Sequence, residues 1–539
     1  MVAVTLLALA AWLRFAGFAG RPLWLDEAYS AYAAGKGWAF LWQVVPRYET
    51  HPPVYYSLVR LWTLPFGDSL IGLRMLGLAC GMATLPLGML CAREIGHALG
   101  LGRIARSWFQ IAALALLALS PMLVLMAREV RPYPVLILVY LAGIHALLRM
   151  QRHIAEGGRI ASPAYAAYLA ALALTLWLHN LGPLFGASLG LGFLAVAMRP
   201  QAMQRRDWLW FLGGHALVAL AYLPALMILI DQAPTWIRST WLRFDPGLAG
   251  WRVATLLAGG RGPVIGAALL LLLLGVGALA RTEEGRRIAI LLLVTAILPV
   301  VASLTVSALV APVFIMRTMT PVVAPALLLY AAGASAPGGW LRWIGIGALA
   351  YFASQLALVD RNILRAPPMQ NWYGAVRWLE PRFEPGDIVY AYPNEGALPF
   401  DYAVRDLKLR LPSRPVPTAV PSIGVGGWNP TGSRGVVSLP RERLRAIAED
   451  AGSVRTVWLL RLGANAYDKG DIFLHELERG RRHVGRFQSG PIDIIGLGAS
   501  ISDGRSAHWR ACPRSGSAAA DVLTPASQHG RCGLDPARR

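Results

Sequence analysis

Charge is scarce in this chain of 539 residues: Asp, Glu, Lys and Arg together make up 15% of it, against roughly a quarter in an ordinary soluble domain. That shortage excludes an ordinary cytosolic enzyme and a disordered chain. Cysteine is scarcer still, with four residues, too few for a disulfide scaffold. There is no CxxC or HExxH motif to signal a built-in metal site. Lysine occurs only at Lys36, Lys408 and Lys469, so the formal net charge of +21 is an arginine charge. In a soluble chain that charge would point to nucleic acid. No RNA-type aromatic-basic motif or zinc spacing accompanies it, and a basic surface beside anionic lipid accounts for it equally well.

In place of charge the chain has apolar runs of bilayer-spanning length. They read at about 1–19, 69–92, 105–126, 132–150, 163–179, 182–198, 208–230, 263–280, 288–310, 319–334 and 340–358. The first ends in small residues like a signal peptide, but the ten further runs mark a membrane protein, so an uncleaved span fits better. The expectation is an all-α polytopic membrane protein of about eleven transmembrane helices. Arginines cluster at 93, 103 and 106; 149, 152 and 159; 199, 205 and 206; and 281, 286 and 287. The positive-inside rule makes those loops cytoplasmic. Alternation then puts the N-terminus inside, and residues 20–68, 127–131, 231–262, 311–318 and everything after the last span outside. The charge asymmetry is slight, so the outer arginines need their own reason to be there, and phosphate binding is one.

The first outer loop carries local structure. Trp38, Leu41, Trp42 and Val45 form an i, i+3, i+4, i+7 stripe suited to a helix lying in the headgroup plane. Pro52 and Pro53 open a second apolar helix too short to cross. After residue 358 the composition turns to Pro, Gly and charge. NWYGAVRWLE has helical spacing, and DIVYAY, VRTVWLL and IDIIGL read as short buried strands. The expected organisation is a transmembrane module over 1–360, a small extracytoplasmic α/β domain over 361–500 and a mobile tail over 501–539. Cys80 and Cys91 lie on one predicted helix, about 16 Å apart, too far to bridge. Cys512 and Cys532 share the outer tail, where a disulfide is expected.

The strongest chemical signal is RPLWLDEAYS, which places Asp26 and Glu27 just beyond the first span. A carboxylate at the membrane surface can serve as a general base. It can equally be a helix N-cap, and the local sequence leaves both open. Other polar groups fall at the same level: Glu49 and His51 at the second interfacial helix, Arg74 a turn into the next span, Arg128, Glu129, Arg131 and Tyr133 in a tight outer turn, and Arg317 late in the chain. Arginine at the rim of an apolar span is costly without a partner or an anionic ligand. Together these residues describe a phosphate pocket beside a candidate base.

The motifs LDEAYS, E-x-HPPVYY, the LR of GLRMLG, SPMLVLMAREVRPYPV and FIMRTMTP-x-x-AP resemble those of bacterial GT-C fold glycosyltransferases, in particular the family 39 and RgtA/B/C/D-like group, related to protein O-mannosyltransferases and lipid A aminoarabinose transferases. The resemblance covers roughly residues 1–360. It implies a polyprenyl-phosphate sugar donor, inversion at the anomeric carbon and a first-loop Asp as base, which here is Asp26. Glu27 beside it would orient or bind, and Glu129 matches the second-loop acidic position. Arg74, Arg131 and Arg317 match basic positions for the donor phosphate. Glu49, His51, Tyr55 and Tyr133 would position the loops or the acceptor. Glu129 departs from the aminoarabinose transferases, which have Asp there, so their specificity is not carried over.

The implied reaction is sugar transfer to an acceptor hydroxyl of a lipid, glycan or protein at the outer face of the cell membrane. A phosphate is already a good leaving group, so no cofactor is required, and the sequence leaves a divalent metal open. Two other classes stay in play: a transporter of a lipid-linked sugar, which should carry polar groups at mid-membrane that the spans here nearly lack, and a noncatalytic scaffold, which has no need of Asp26 beside several arginines.

Overall fold

The computed structural model describes residues 1–197, 204–239, 242–260, 262–335, 338–422, 439–464, 468 and 470–499. Cys512, Cys532 and the expected tail lie outside the described residues. Helices occupy all eleven apolar segments: α1 (Val2–Phe15), α4 (Leu70–Ala98), α5 (Arg103–Ala118) with α6 (Pro121–Met126), α7 (Tyr133–Ala155), α8 (Pro163–Leu178), α9 (Gly182–Ala197), α10 (Arg205–Ser239), α12 (Pro263–Leu279), α13 (Glu283–Leu309), α14 (Val323–Ser335) and α15 (Leu341–Arg365). Between α1 and α4 lie α2 (Leu25–Gly35) and α3 (Val54–Phe66), and α11 (Pro246–Ala258) precedes α12.

Among the described residues, six helical runs can cross a membrane by length and composition: α4, α7, α10, α13, Met316–Ser335 and α15. The bent pair of α11 and α12 brings the number to seven, and α1, α8 and α9 are apolar but shorter. The chain is a multi-pass membrane protein. The segment expected as one span over 105–126 is broken, because Pro121 forces Ser120 into an extended conformation (φ −72°, ψ 116°). The carbonyls exposed at the end of α5 are not left orphaned. Arg14, wholly buried on α1, donates to Leu117 O at 2.9 Å and Ala118 O at 3.0 Å.

The bundle is closed by small residues where helices meet. A Cβ on Gly333 of α14 would collide with Leu271 O of α12, and one on Gly275 of α12 with Leu329 O of α14. Backbone therefore lies against backbone, as small residues permit in membrane helix pairs. α11 was not anticipated within the 231–262 loop. Its start is nonetheless written locally: Asp245 accepts from the Gly247 N–H at 2.8 Å, Pro246 opens the first turn, and Gly259 ends the helix in the left-handed region (φ 67°).

The first interfacial stripe is corrected. Phe40–Val44 forms a π-helical turn that tightens into a 3₁₀ turn at Val45–Arg47. The wider turn aligns residues four apart instead of gathering all four on one face. Leu41 and Val45 are consequently buried, while Trp38 and Trp42 are 43% and 46% exposed. α3 begins after Pro53 and is 13 residues long, about 20 Å at 1.5 Å per residue and too short to span. Leu61, Leu64 and Phe66 on it are exposed.

Beyond α15 the described residues form α16 (Trp372–Leu379), α17 (Ala397–Asp406), α18 (Arg441–Asp450), a helix at Ile472–Glu478 and the strands β1 (Ile388–Tyr392), β2 (Ser413–Pro415), β3 (Thr456–Leu462), β4 (Arg481–Ser489) and β5 (Ile492–Ala499). The strand order is β2-β1-β3-β5-β4, with β1 parallel to β2 and β3, and β5 antiparallel to β3 and β4. Every residue of the central β3 is buried, as expected of VRTVWLL.

The end of α15 and the region beyond it grip the segment between α1 and α4. Arg21 donates to Ile363 O and Ala366 O, and the Leu25 N–H donates to Gln370 Oε1 at 3.0 Å. The Tyr32 hydroxyl donates to Val420 O at 2.7 Å, and Arg405 pairs with Asp68 at 2.9 Å.

Candidate active site

α2 starts at Leu25 because Trp24 is extended (φ −84°, ψ 172°) and Glu27, in the third helical position, reaches back to accept the Trp24 N–H at 3.2 Å. The N-cap is thus Trp24. Asp26 sits inside the first turn, where the helix dipole favours its negative charge.

The two adjacent carboxylates have different fates. Glu27 is 1% exposed, and both its oxygens are engaged: Oε2 accepts from Arg74 Nη2 at 2.9 Å, and Oε1 from the Val130 N–H at 2.9 Å. The two terminal nitrogens of Arg74 are engaged as well. Its Nη1 donates to Phe18 O (3.0 Å) and Arg21 O (2.7 Å), and its Nη2 also reaches Pro22 O (3.3 Å). Arg74, expected on the donor phosphate, thus has both terminal nitrogens engaged by the loop and Glu27, while its Nε is buried without a hydrogen-bond partner. The pair ties α4 to α2 and to the turn before α7.

Asp26 is the less buried of the two carboxylates. Its Oδ2 lies 3.2 Å from Arg317 Nη2 and 3.8 Å from Arg131 Nη2, and its side chain is 14% exposed. Arg131 also donates to the Asp26 carbonyl at 3.4 Å. The Arg317 guanidinium lies 4.7 Å above the centre of the Trp24 ring, and that of Arg131 lies 5.8 Å from the Tyr133 ring. Aromatic faces of this kind hold a guanidinium in place without using its N–H groups.

Glu129 completes the cluster. Its Oε2 is buried without a hydrogen-bond partner. Burial, and secondarily the charge of Glu27, pushes its carboxyl up to about 7 against the pull of Arg317 and Arg131. Tyr55 is buried within range of the Arg131, Glu27 and Glu129 charges. Arg128 turns away, donating to Leu13 O and Ala16 O of α1.

On the far side of Tyr133, Glu49 Oε1 accepts from His51 Nδ1 at 2.9 Å, and His51 Nε2 lies 3.3 Å from His179 Nε2. His179 Nδ1 accepts the Leu181 N–H at 3.0 Å, and its ring packs 5.8 Å from that of Tyr133. Asn180 donates to Thr50 Oγ1 at 3.2 Å, a second tie between the same two loops. His179 and Asn180 were missed from the sequence. The signal available was LHNLGP, a polar dipeptide at a turn between two apolar helices. Among the described residues no three His, Cys, Asp or Glu side chains are grouped to hold a metal.

No protein-family model matches the sequence, and no curated protein is similar enough in sequence to count as a match. Solved structures are similar in fold. ArnT from Cupriavidus metallidurans in the apo state superposes with a TM-score of 0.55 at 12% identity, covering 92% of this chain and 97% of that one. The same protein bound to undecaprenyl phosphate gives 0.55 at 13%, covering 93% and 99%. The Archaeoglobus fulgidus oligosaccharyltransferase is more distant, at 0.49 and 13%, covering 93% and 74%. The chain has the GT-C fold, with a small C-terminal sheet appended to the helical bundle.

Proposed function

We propose that this protein is an inverting glycosyltransferase that moves a sugar from a polyprenyl-phosphate donor to an acceptor hydroxyl at the outer face of the membrane, with Asp26 as general base and Arg131 and Arg317 on the donor phosphate. The observation that carries the reading is the partnering of Asp26. Its carboxylate, partly exposed where that of Glu27 is buried, lies against two arginines that are themselves seated on aromatic rings. The same fold with undecaprenyl phosphate bound in ArnT supports a lipid-phosphate donor.

A donor phosphate entering between Arg131 and Arg317 competes with Asp26 for their N–H groups and releases the carboxylate to an acceptor hydroxyl. The acceptor O–H proton passes to Asp26 as the new C–O bond forms on the face opposite the phosphate. The anomeric carbon–phosphate oxygen bond breaks, its electron pair stays on the phosphate, and the arginines stabilise the added charge. Glu27 and Arg74 brace the helix that carries Asp26. Glu129, close to neutrality, keeps the arginine pair from being overneutralised before the donor arrives.

The experiment is Asp26→Asn in purified protein, with sugar transfer as the readout. Asn retains size and hydrogen bonding but cannot take the proton, so a loss on the order of 10²-fold or more is expected. Near-normal turnover would reject Asp26 as the base.

A further inference from the structure

His179 has no part in the proposed transfer chemistry, yet it is buried to 2% exposure within the electrostatic reach of Arg131 and Arg317. The hydrogen bonds around it determine where each proton lies. Because the Leu181 N–H donates to His179 Nδ1, that nitrogen carries no proton. With Nδ1 taken up as an acceptor, the imidazole carries its one proton on Nε2. The facing His51 Nε2 must then accept, which leaves the His51 proton on Nδ1, pointing at Glu49 Oε1. Each bond dictates the next, from a backbone amide of the α8–α9 turn to a carboxylate of the first loop.

His179 is the member of the relay that lies beside the arginines. The Tyr133 ring packs against His179 and is the ring on which Arg131 rests. We propose that His179 is a positioning residue of the transfer site, fastening His51 and Glu49 to the α8–α9 turn and holding Tyr133 beneath Arg131. Arg131 then keeps its place when Asp26 gives it up to the donor phosphate. This role rests on the reading of Arg131 as a donor-phosphate contact.

Full-length protein in detergent, titrated with undecaprenyl phosphate and followed by native mass spectrometry, tests it. His179→Phe keeps a ring against Tyr133 but loses the N–H toward His51, and should weaken binding on the order of tenfold, the worth of one buried hydrogen bond. His179→Gln supplies an N–H again and should bind within about threefold of wild type. Equal affinity of the Phe variant and wild type, or a Gln variant as impaired as Phe, would overturn the positioning role alone. Failure of the wild type itself to bind would overturn the donor reading instead. Imidazole nitrogen NMR of the wild type needs no variant to fold: protons are expected on His179 Nε2 and His51 Nδ1, and the opposite tautomers would end the relay.

Discussion

Replacing Glu129 with Gln should make the protein more stable at alkaline pH and leave it unchanged in acid. The carboxyl titrates near 7 instead of 4.5, chiefly because it is buried, with one oxygen lacking a hydrogen-bond partner. The folded state therefore holds this proton more tightly than the unfolded chain does. Below pH 4.5 both states are protonated and the site has no pH-dependent cost. As pH rises from 4.5 to about 7 the unfolded chain loses its proton first, and folded stability falls. Above 7 the full difference is present, about 3 kcal/mol at 1.36 kcal/mol per pKa step. Glu129→Gln carries no ionisable group and escapes that loss. Thermal unfolding in detergent from pH 4.5 to 8 is the assay. The variant should gain several degrees of Tm at pH 8, at roughly 2–4 °C per kcal/mol for a large chain, and the gain should vanish by pH 4.5. Parallel Tm curves for variant and wild type across that range would refute the account of Glu129 as a strained, half-neutral acid.

Glu27→Ala removes the anion opposite the buried Arg74 and should cost about 3–5 kcal/mol, as loss of one partner of a buried pair does; chemical unfolding checks it, and a loss below about 1 kcal/mol contradicts the tie. Arg317→Ala should raise the Michaelis constant for a polyprenyl-phosphate sugar more than it lowers turnover, if the phosphate contact is equal in ground and transition states, and steady-state kinetics over donor concentration measures the split. A reporter fused after residue 360 should be active only outside the cytoplasm, and cytoplasmic activity would invert the proposed topology.

The helical bundle was legible because hydrophobic run length is read directly from composition. Where the runs break was less so: the interruption at Ser120–Pro121 has a local cause, but the Arg14 that seals it comes from a different helix more than a hundred residues away. Asp26, Arg131 and Arg317 could be grouped by membrane level, since loops at one end of a bundle are neighbours whatever their sequence separation. Level alone could not say which arginine partners which carboxylate. Arg74 and Arg317 look alike in sequence, and only packing shows that the terminal nitrogens of one serve carbonyls and Glu27 while the other reaches Asp26. The stripe of Trp38, Leu41, Trp42 and Val45 misled because 3.6-residue periodicity was assumed where the backbone takes a π turn. His179 escaped notice because a single polar pair at a turn carries no periodicity to mark it.

The grip of the C-terminal region on α2 sets an order of assembly. The peptide N–H next to Asp26 is held by Gln370, and Gln370 Oε1 is itself shared with the Trp372 indole, which is buried under the sheet. A ribosome adds Leu25 345 residues before it adds Gln370, so every helix of the bundle is made while the first turn of α2 still lacks its brace. The turn that carries the proposed base is thus among the earliest parts of the protein to be synthesised and among the last to be finished, and a chain truncated before Gln370 carries every proposed catalytic residue but not the clamp on the first turn of α2.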